Sequence, residues 1–281
     1  MYDLSGKVAV ITGAGGRHGI GRAIATRLAQ EGTDVVVTDI ERSLEAIRPE
    51  DRQAGWQGLP SVVSEIEAMG RQALAVHSDV SDGSQVDDMV IRTLERFGRI
   101  DILVNNAGSR PGRDRVPVVE LEEDAFDEVI RVNVRGTYLC SRAVARHMIS
   151  RGGGKIIVIS SGAGKRGIAR YAAYCASKFA LIGFTQSLAQ ELAAHHINVN
   201  AICPGLVDTE RVDYIAAALA LKGQSAQERR VLMIRERNTR VPLGRVAVGD
   251  DIAKTAAFLA SSESDYLTGL SISVSGGAEM S

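Results

Sequence analysis

Tyr174 and Lys178 stand four residues apart, a spacing that puts both side chains on one face of a helix. A tyrosine with a pKa near 10 is a poor base at neutral pH. An ammonium within about 4–6 Å lowers an acid's pKa by roughly 1–3 units, each worth about 1.4 kcal/mol, so the pair brings a phenol into range for moving a proton. Ser161, thirteen residues before Tyr174, adds a hydroxyl able to bond a substrate oxygen and fix its approach. Its neighbour Ser160 competes for that part. Tyr171 is the rival tyrosine, but Cys175 rather than a lysine follows it by four residues, so it lacks an activating cation and reads as a wall of the substrate pocket.

A second cluster lies near the start of the chain. Thr12-Gly13-Ala14-Gly15-Gly16-Arg17-His18-Gly19-Ile20-Gly21 follows a β-branched run and leads directly into a helical pattern. Glycines there let the backbone approach a pyrophosphate, and the helix N-terminus attracts its charge. Asp39 closes the next apolar run, 18 residues after Gly21. An acidic side chain at that point accepts hydrogen bonds from both ribose hydroxyls and repels a 2′-phosphate, which favours NAD over NADP. Arg17 pulls the other way, as a cation able to pair with such a phosphate. The strand-end position of Asp39 gives it the greater weight.

Short β-branched runs alternate with longer amphipathic segments and must position these groups. Runs at 8–12, 34–39, 73–77, 102–105, 156–160, 199–202 and 271–274 read as seven strands. The first six are continuously apolar, as parallel strands covered on both faces should be. Helical patterns fall at 20–30, 62–68, 85–97, 122–132, 136–149, 174–194 and 250–259. The fold class expected is α/β: a single Rossmann-type, doubly wound domain over 1–281, with a seven-stranded parallel sheet, helices on both faces and ligands outside the strands' carboxyl ends. Two stretches interrupt the rhythm. The polar segment 41–61 carries Trp56, the only tryptophan, and reads as an inserted link on the surface. The arginine-rich excursion 209–240 is partly helical, and 212–237 suits either a lid over the substrate or an ordinary packed helical pair.

Of 281 residues, 45% are hydrophobic and 24% charged, with a formal net charge of −1. That balance gives no reason to expect nucleic acid or an anionic membrane as partner. Cys140, Cys175 and Cys203 each sit among apolar or small residues and read as buried free thiols in a reducing compartment. No Cys/His cluster has zinc spacing, so no metal is expected. The first residues lack the pattern of a signal peptide, and no apolar run approaches the roughly 18 residues of a membrane span. A cytoplasmic protein is the expectation.

With Asn105-Asn106-Ala107-Gly108 and Tyr174-Cys175-Ala176-Ser177-Lys178, the chain resembles the short-chain dehydrogenase/reductase family, in particular its ketoacyl-reductase-like and alcohol-dehydrogenase-like members. The likeness runs from Gly6 to Gly277 with the motifs in the family's order. It implies an enzyme in which Tyr174 is the general acid/base, Lys178 also holds the nicotinamide ribose, and Ser161 rather than Ser160 bonds the substrate oxygen. Asn133, within Val132-Asn133-Val134, resembles the asparagine that bends its helix and organises a relay water to the lysine. Gly13, Gly15, Gly16, Arg17, Gly19 and Ile20 form the phosphate turn in this reading. Asp79 resembles the residue that binds the adenine amino group, with Val80 packing on the ring. Asn105 supports the central strand, and Asn106, Ala107 and Gly108 form the cofactor floor. Pro204-Gly205-Leu206-Val207-Asp208-Thr209 resembles the segment holding the carboxamide, with Val207 and Thr209 among its contacts.

The sequence departs from the family pattern twice. The glycine turn is two residues longer, and 41–61 exceeds the usual link, resembling the longer one in dehydrogenases that keep NAD tightly bound. Family likeness also implies a homotetramer in which the helices at 136–149 and 174–194 meet their symmetry mates, a role that Val144, Met148, Phe179 and Phe184 fit, as they also fit an internal core. The function expected is NAD-dependent hydride transfer on a secondary alcohol or ketone. The alternatives are an NADP-dependent 3-oxoacyl thioester reductase and a non-catalytic dinucleotide sensor. Arg110, Arg113 and Arg115, with Lys165, Arg166 and Arg170, should rim the site and either attract an anionic substrate or remain solvated.

Overall fold

Continuous apolar strands are stable only when both of their faces are covered, and the computed structural model, which describes residues 2–41, 43 and 47–280, covers them with helices. The strands are β1 (Val8–Thr12), β2 (Asp34–Asp39), β3 (Ala73–His77), β4 (Ile102–Asn105), β5 (Gly154–Ile159), β6 (Ile197–Pro204) and β7 (Ser271–Val274). They form one sheet in the order β3-β2-β1-β4-β5-β6-β7, every neighbouring pair parallel. The helices are α1 (Ile20–Gln30), α2 (Pro49–Gln53), α3 (Leu59–Ala68), α4 (Gly83–Phe97), α5 (Glu123–Ile130), α6 (Gly136–Arg151), α7 (Ala172–Leu192), α8 (Glu210–Leu219), α9 (Ala226–Asn238) and α10 (Gly249–Ala260).

The two-residue period of each strand divides the core in two. Ala9 and Ile11 of β1 pack with Ile24 and Leu28 of α1, Val62 and Ile66 of α3, and Ile252 and Ala256 of α10. Val8 and Val10 turn the other way, to Val86 and Met89 of α4, Leu139 and Met148 of α6, and Leu181 of α7. Strand order reverses between β1 and β4, so the loops leaving those two strands diverge and open a crevice at their carboxyl ends.

Most expected elements form within a residue or two of their patterns. β5 and β6 extend beyond theirs, because pairing continues at Gly154↔Ile197 and Pro204↔Val274, past the apolar runs. The helix expected at 122–132 stops at Ile130 and passes through a π-helical turn at Arg131–Arg135 before α6. In the segment 41–61, residues 42 and 44–46 lie outside the described residues, and the reading of the rest as a surface loop is corrected. It holds α2 and the start of α3, and Trp56 and Leu59 are buried in the core cluster. The apolar side chains of Trp56 and Leu59, buried in that cluster, are what tie it down. The excursion 209–240 resolves into α8 and α9, the latter started by a capping box between Ser225 and Glu228.

Two residues assigned to a subunit interface belong instead to the chain's own core. Val144 and Met148 are fully buried, and Met148 fills the space that the absent side chain of Gly154 leaves free. Phe179 is 47% exposed. Among the described residues, no helix is long and apolar enough to cross a membrane.

Candidate active site

The carboxyl ends of β1, β4, β5 and β6 open onto a cavity of about 810 Å³. The glycine turn enters it from β1. Gly13 has φ +68°, and a Cβ there would lie 2.7 Å from the Ala107 Cα, so only glycine lets the loops after β1 and β4 approach this closely. Asn106 stitches the same loops together, its Nδ2 donating to the carbonyls of Thr12 and Gly13, both at 2.9 Å. The Thr12 hydroxyl accepts from the Asn106 and Ala107 N–H groups, both at 3.0 Å. Gly19 caps α1 without any side-chain hydrogen bond, and no acidic residue stands in its first turn. That helix end therefore retains unspent N–H donors and a partial positive charge.

Asp39, at the end of β2, accepts from the N–H of Gly15 and of Ile40, each at 2.9 Å. The extra length of the turn and the 41–61 segment pack on each other. The Trp56 indole donates to the Gly15 carbonyl at 3.0 Å, and Asp51 approaches Arg17 at 3.5 Å and His18 at 3.9 Å. Arg48 joins Asp51 to Asp213 of α8, at 2.7 Å on each side. The two departures from the family pattern are thus one structural unit, which forms a wall of the cavity through Arg48, Asp51, Trp56 and Leu59.

Gly13, Gly15, Gly16, Arg17, Gly19, Ile20, Asp39, Asp79, Val80, Asn106, Ala107 and Gly108 all line the cavity, together with Ser161, Tyr171, Tyr174, Lys178, Pro204, Gly205, Val207 and Thr209. Asn133 does not. It is wholly buried behind the wall in the π-helical turn, with Oδ1 accepting from the Ser109 N–H at 2.8 Å and Nδ2 donating to the Ser177 hydroxyl at 2.9 Å. Asn105 likewise turns away, donating to Ser141 at 3.0 Å. Asp79 accepts from the N–H and hydroxyl of Ser81. Burial works to raise its pKa, but these bonds and Arg131 hold it below the ordinary value.

Tyr174 lies in the first turn of α7, with Lys178 one turn on. The Lys178 ammonium sits 5.7 Å from the Tyr174 ring centre and donates to the Ile159 carbonyl at 2.7 Å. Burial alone would raise the Tyr174 phenol. The charges of Lys178 and Arg211, a hydrogen bond from Ser161 and the charge of Arg115 together outweigh burial, and the phenol falls below its usual value. Tyr171 goes the opposite way: burial raises it, and Arg115 and Arg211 do not overcome the effect. Burial also lowers the Lys178 ammonium, a shift that Tyr174 only partly opposes. Ser160 also lines the cavity, and its buried hydroxyl donates to the Lys178 carbonyl at 2.9 Å. All three cysteines are free and buried, and burial pushes the Cys140 thiol up to about 12.

Two groups at the site had no local signature in the sequence. Arg211 stands 5.1 Å over the Tyr174 ring, brought there only because α8 folds back across the β6 loop. Glu279, near the C-terminus, lies against Gly162 and pairs with Arg166 at 2.8 Å.

Residues 7–220 match the short chain dehydrogenase family model. The chain belongs to the short-chain dehydrogenase family, whose members are oxidoreductases acting on CH–OH groups. It is similar to the sorbitol dehydrogenase of Cereibacter sphaeroides, 41% identical over 99% of each chain. The galactitol 2-dehydrogenase of Agrobacterium fabrum is 40% identical, again over 99% of each chain. Among solved structures, carveol dehydrogenase from Mycobacterium avium in complex with NAD superposes with a TM-score of 0.85 at 30% identity, covering 99% of both chains.

Proposed function

We propose that this chain is an NAD-dependent dehydrogenase that interconverts a secondary alcohol and its ketone, with Tyr174 as general acid/base. The observation that carries this reading is the contrast between two neighbouring tyrosines. Both are half-buried and line the same cavity. Only Tyr174 has an ammonium one helical turn on, 5.7 Å from its ring centre, with its phenol lowered where that of Tyr171 is raised. When bound, the dinucleotide supplies the hydride acceptor. The residues present fit such a group: an uncapped helix end beside glycines suits a pyrophosphate, and Asp39 at the end of β2 suits ribose hydroxyls.

In the oxidising direction the Tyr174 oxygen takes the hydroxyl proton, and Lys178 offsets the negative charge left on the phenol. Ser161 donates to the substrate oxygen and holds the carbinol in register. Asn133 positions Ser109 and Ser177 around that pair; in this reading it also organises the relay of the proton toward Lys178. Asp79 and Val80 hold the adenine end, and Pro204, Gly205, Val207 and Thr209 the carboxamide end. The preference for NAD rests on Asp39 and on the engagement of Arg17 by Asp51, which leaves Arg17 less available to a 2′-phosphate. Open-chain polyols, suggested by the names of the sorbitol and galactitol enzymes, are the class to screen first. A homotetramer is the assembly expected from the family.

The test is steady-state oxidation with NAD and with NADP, in the wild type and in Tyr174→Phe. The expected result is a higher kcat/KM with NAD and a loss of about 100-fold or more in the variant, with NADH binding retained. Unchanged turnover in Tyr174→Phe would remove the phenol from the chemistry, and a preference for NADP would overturn the cofactor reading.

A further inference from the structure

Of the cationic residues expected to rim the site, most are spent on other partners. Arg113 pairs with Asp124 at 2.7 Å, Arg166 with Glu279, and Lys165 donates to the Ser271 carbonyl at 2.7 Å. Arg110 stacks on Tyr214 and donates to its hydroxyl. Arg115 differs. It is 1% exposed, its guanidinium lies 4.1 Å from the Tyr171 ring centre and 4.7 Å from that of Tyr174, and one nitrogen, Nη1, donates to Asp114. Its Nε and Nη2 have no hydrogen-bond partner among the described residues.

Those two nitrogens form one edge of the guanidinium fork, the edge whose parallel N–H groups match the two oxygens of a carboxylate. Buried donors left unpaired are costly, which makes their presence at a ligand cavity informative. Arg211 also stands over the ring of Tyr174, at 5.1 Å. It spends one nitrogen on the Ser109 carbonyl at 2.9 Å, and among the described residues no carboxylate pairs with it. Both arginines line the cavity. Glu279, which also lines the cavity, has Oε1 on Arg166 and, among the described residues, an unpartnered Oε2 near Gly162. As an acceptor it suits a hydroxyl and repels an anion, so the two flanks of the cavity ask for different ends of a substrate.

We propose that Arg115 and Arg211 form a subsite for a carboxylate, so that the alcohol oxidised here is a hydroxy acid. The assignment rests on the proposed dehydrogenase activity and names its substrate class. Arg211 makes the contact, and Arg115, buried against the tyrosine rings, adds its positive charge behind it. Neutral alcohols of the same length lack the group that offsets these two charges.

Oxidation with NAD is measured on matched pairs that differ only at one end: gluconate against sorbitol, and 3-hydroxybutyrate against 1,3-butanediol. In the wild type the acid of at least one pair is expected to have the higher kcat/KM. Arg211→Gln is expected to lower that value about 10- to 100-fold, the worth of one charge-assisted pair, and mainly through KM. Any change in the Tyr174 phenol affects both members of a pair alike, so the readout is the acid-over-neutral ratio of kcat/KM on each enzyme's pH plateau. That ratio should fall about 10-fold or more in Arg211→Gln and recover in part in Arg211→Lys. Arg211 carries the test because replacing Arg115 disturbs the packing of two tyrosines. Preference for the neutral member in both pairs overturns the proposal. So does an equal loss for acid and diol with a shifted pH profile, since Arg211 would then act only through Tyr174.

Binding of the same four compounds to Tyr174→Phe loaded with NADH, read by cofactor fluorescence, separates the two readings. Tighter binding of the acid that depends on Arg211 supports the carboxylate subsite even where the variant still turns over and the role of Tyr174 fails. Equal binding of acid and diol overturns the subsite even where the hydride-transfer reading stands.

Discussion

At the scale of single residues, the chemistry comes down to which of two half-buried tyrosines ionises. Burial disfavours phenolate at both positions, and the helical neighbour four residues on breaks the symmetry: a lysine after Tyr174, a cysteine after Tyr171. With its phenol lowered, Tyr174 holds the base form at lower pH than an ordinary tyrosine, so oxidation should rise with pH through that lowered value and level off above it. Replacing Lys178 by Met removes a lowering charge and leaves the upward push of burial. The midpoint of log(kcat/KM) against pH should therefore move up by about 1–3 units, with a matching loss of activity at neutral pH. A midpoint unmoved in that variant would mean that Arg211 and Arg115 suffice to tune the phenol. The tyrosine–lysine spacing and Ser161 were legible in the sequence because helical periodicity and strand ends are local properties. Arg211, 33 residues beyond Lys178, was not, because only the path of the chain after β6 brings it back.

Among elements, the 41–61 segment shows how tertiary packing overrides composition. Its polarity reads as a surface link, yet Trp56 is buried and hydrogen-bonded to the glycine turn. Arg48 bridges Asp51 to Asp213, so the link and α8 close on the cavity from two sides through a shared guanidinium. Burial opposes the charge on Arg48, but Asp51, Glu210 and Asp213 overcome it and raise its pKa. Partial exposure discounts such pairs to about 1–2 kcal/mol for the network. Arg48→Ala is then expected to speed amide hydrogen exchange about 5- to 30-fold in residues 47–59 and in α8 together. Exchange that rises in only one of the two segments would show that Arg48 does not couple them. The π-helical turn at Asn133 is a similar case. The apolar pattern ran a plain helix over 122–132, the family likeness of Asn133 implied a bend, and the wide turn carries side-chain bonds to Ser109 and Ser177 from separate elements.

For the molecule as a whole, the parallel sheet follows from the order of apolar runs and helical patterns, whereas its switch point and the assembly do not. Val144 and Met148 proved to be core, because a buried helix face and a subunit interface have the same composition. The apolar groups left exposed include Phe179 on α7, and Tyr266 and Leu270 just before β7. If these faces pair as the family likeness implies, light scattering should report four chains per particle, and Phe179→Glu should lower that number. A wild-type particle that stays at one chain across concentrations would exclude the tetramer. The sequence by itself determined the αβ alternation, the glycine turn and the tyrosine–lysine pair, since each is set by short-range periodicity or a fixed spacing along one element. Only the tertiary structure decided which cations face the phenol, that the extra turn residues and the long link share one anchor, and which apolar faces stay open. Those properties depend on distances between segments far apart in the chain, which no local pattern encodes.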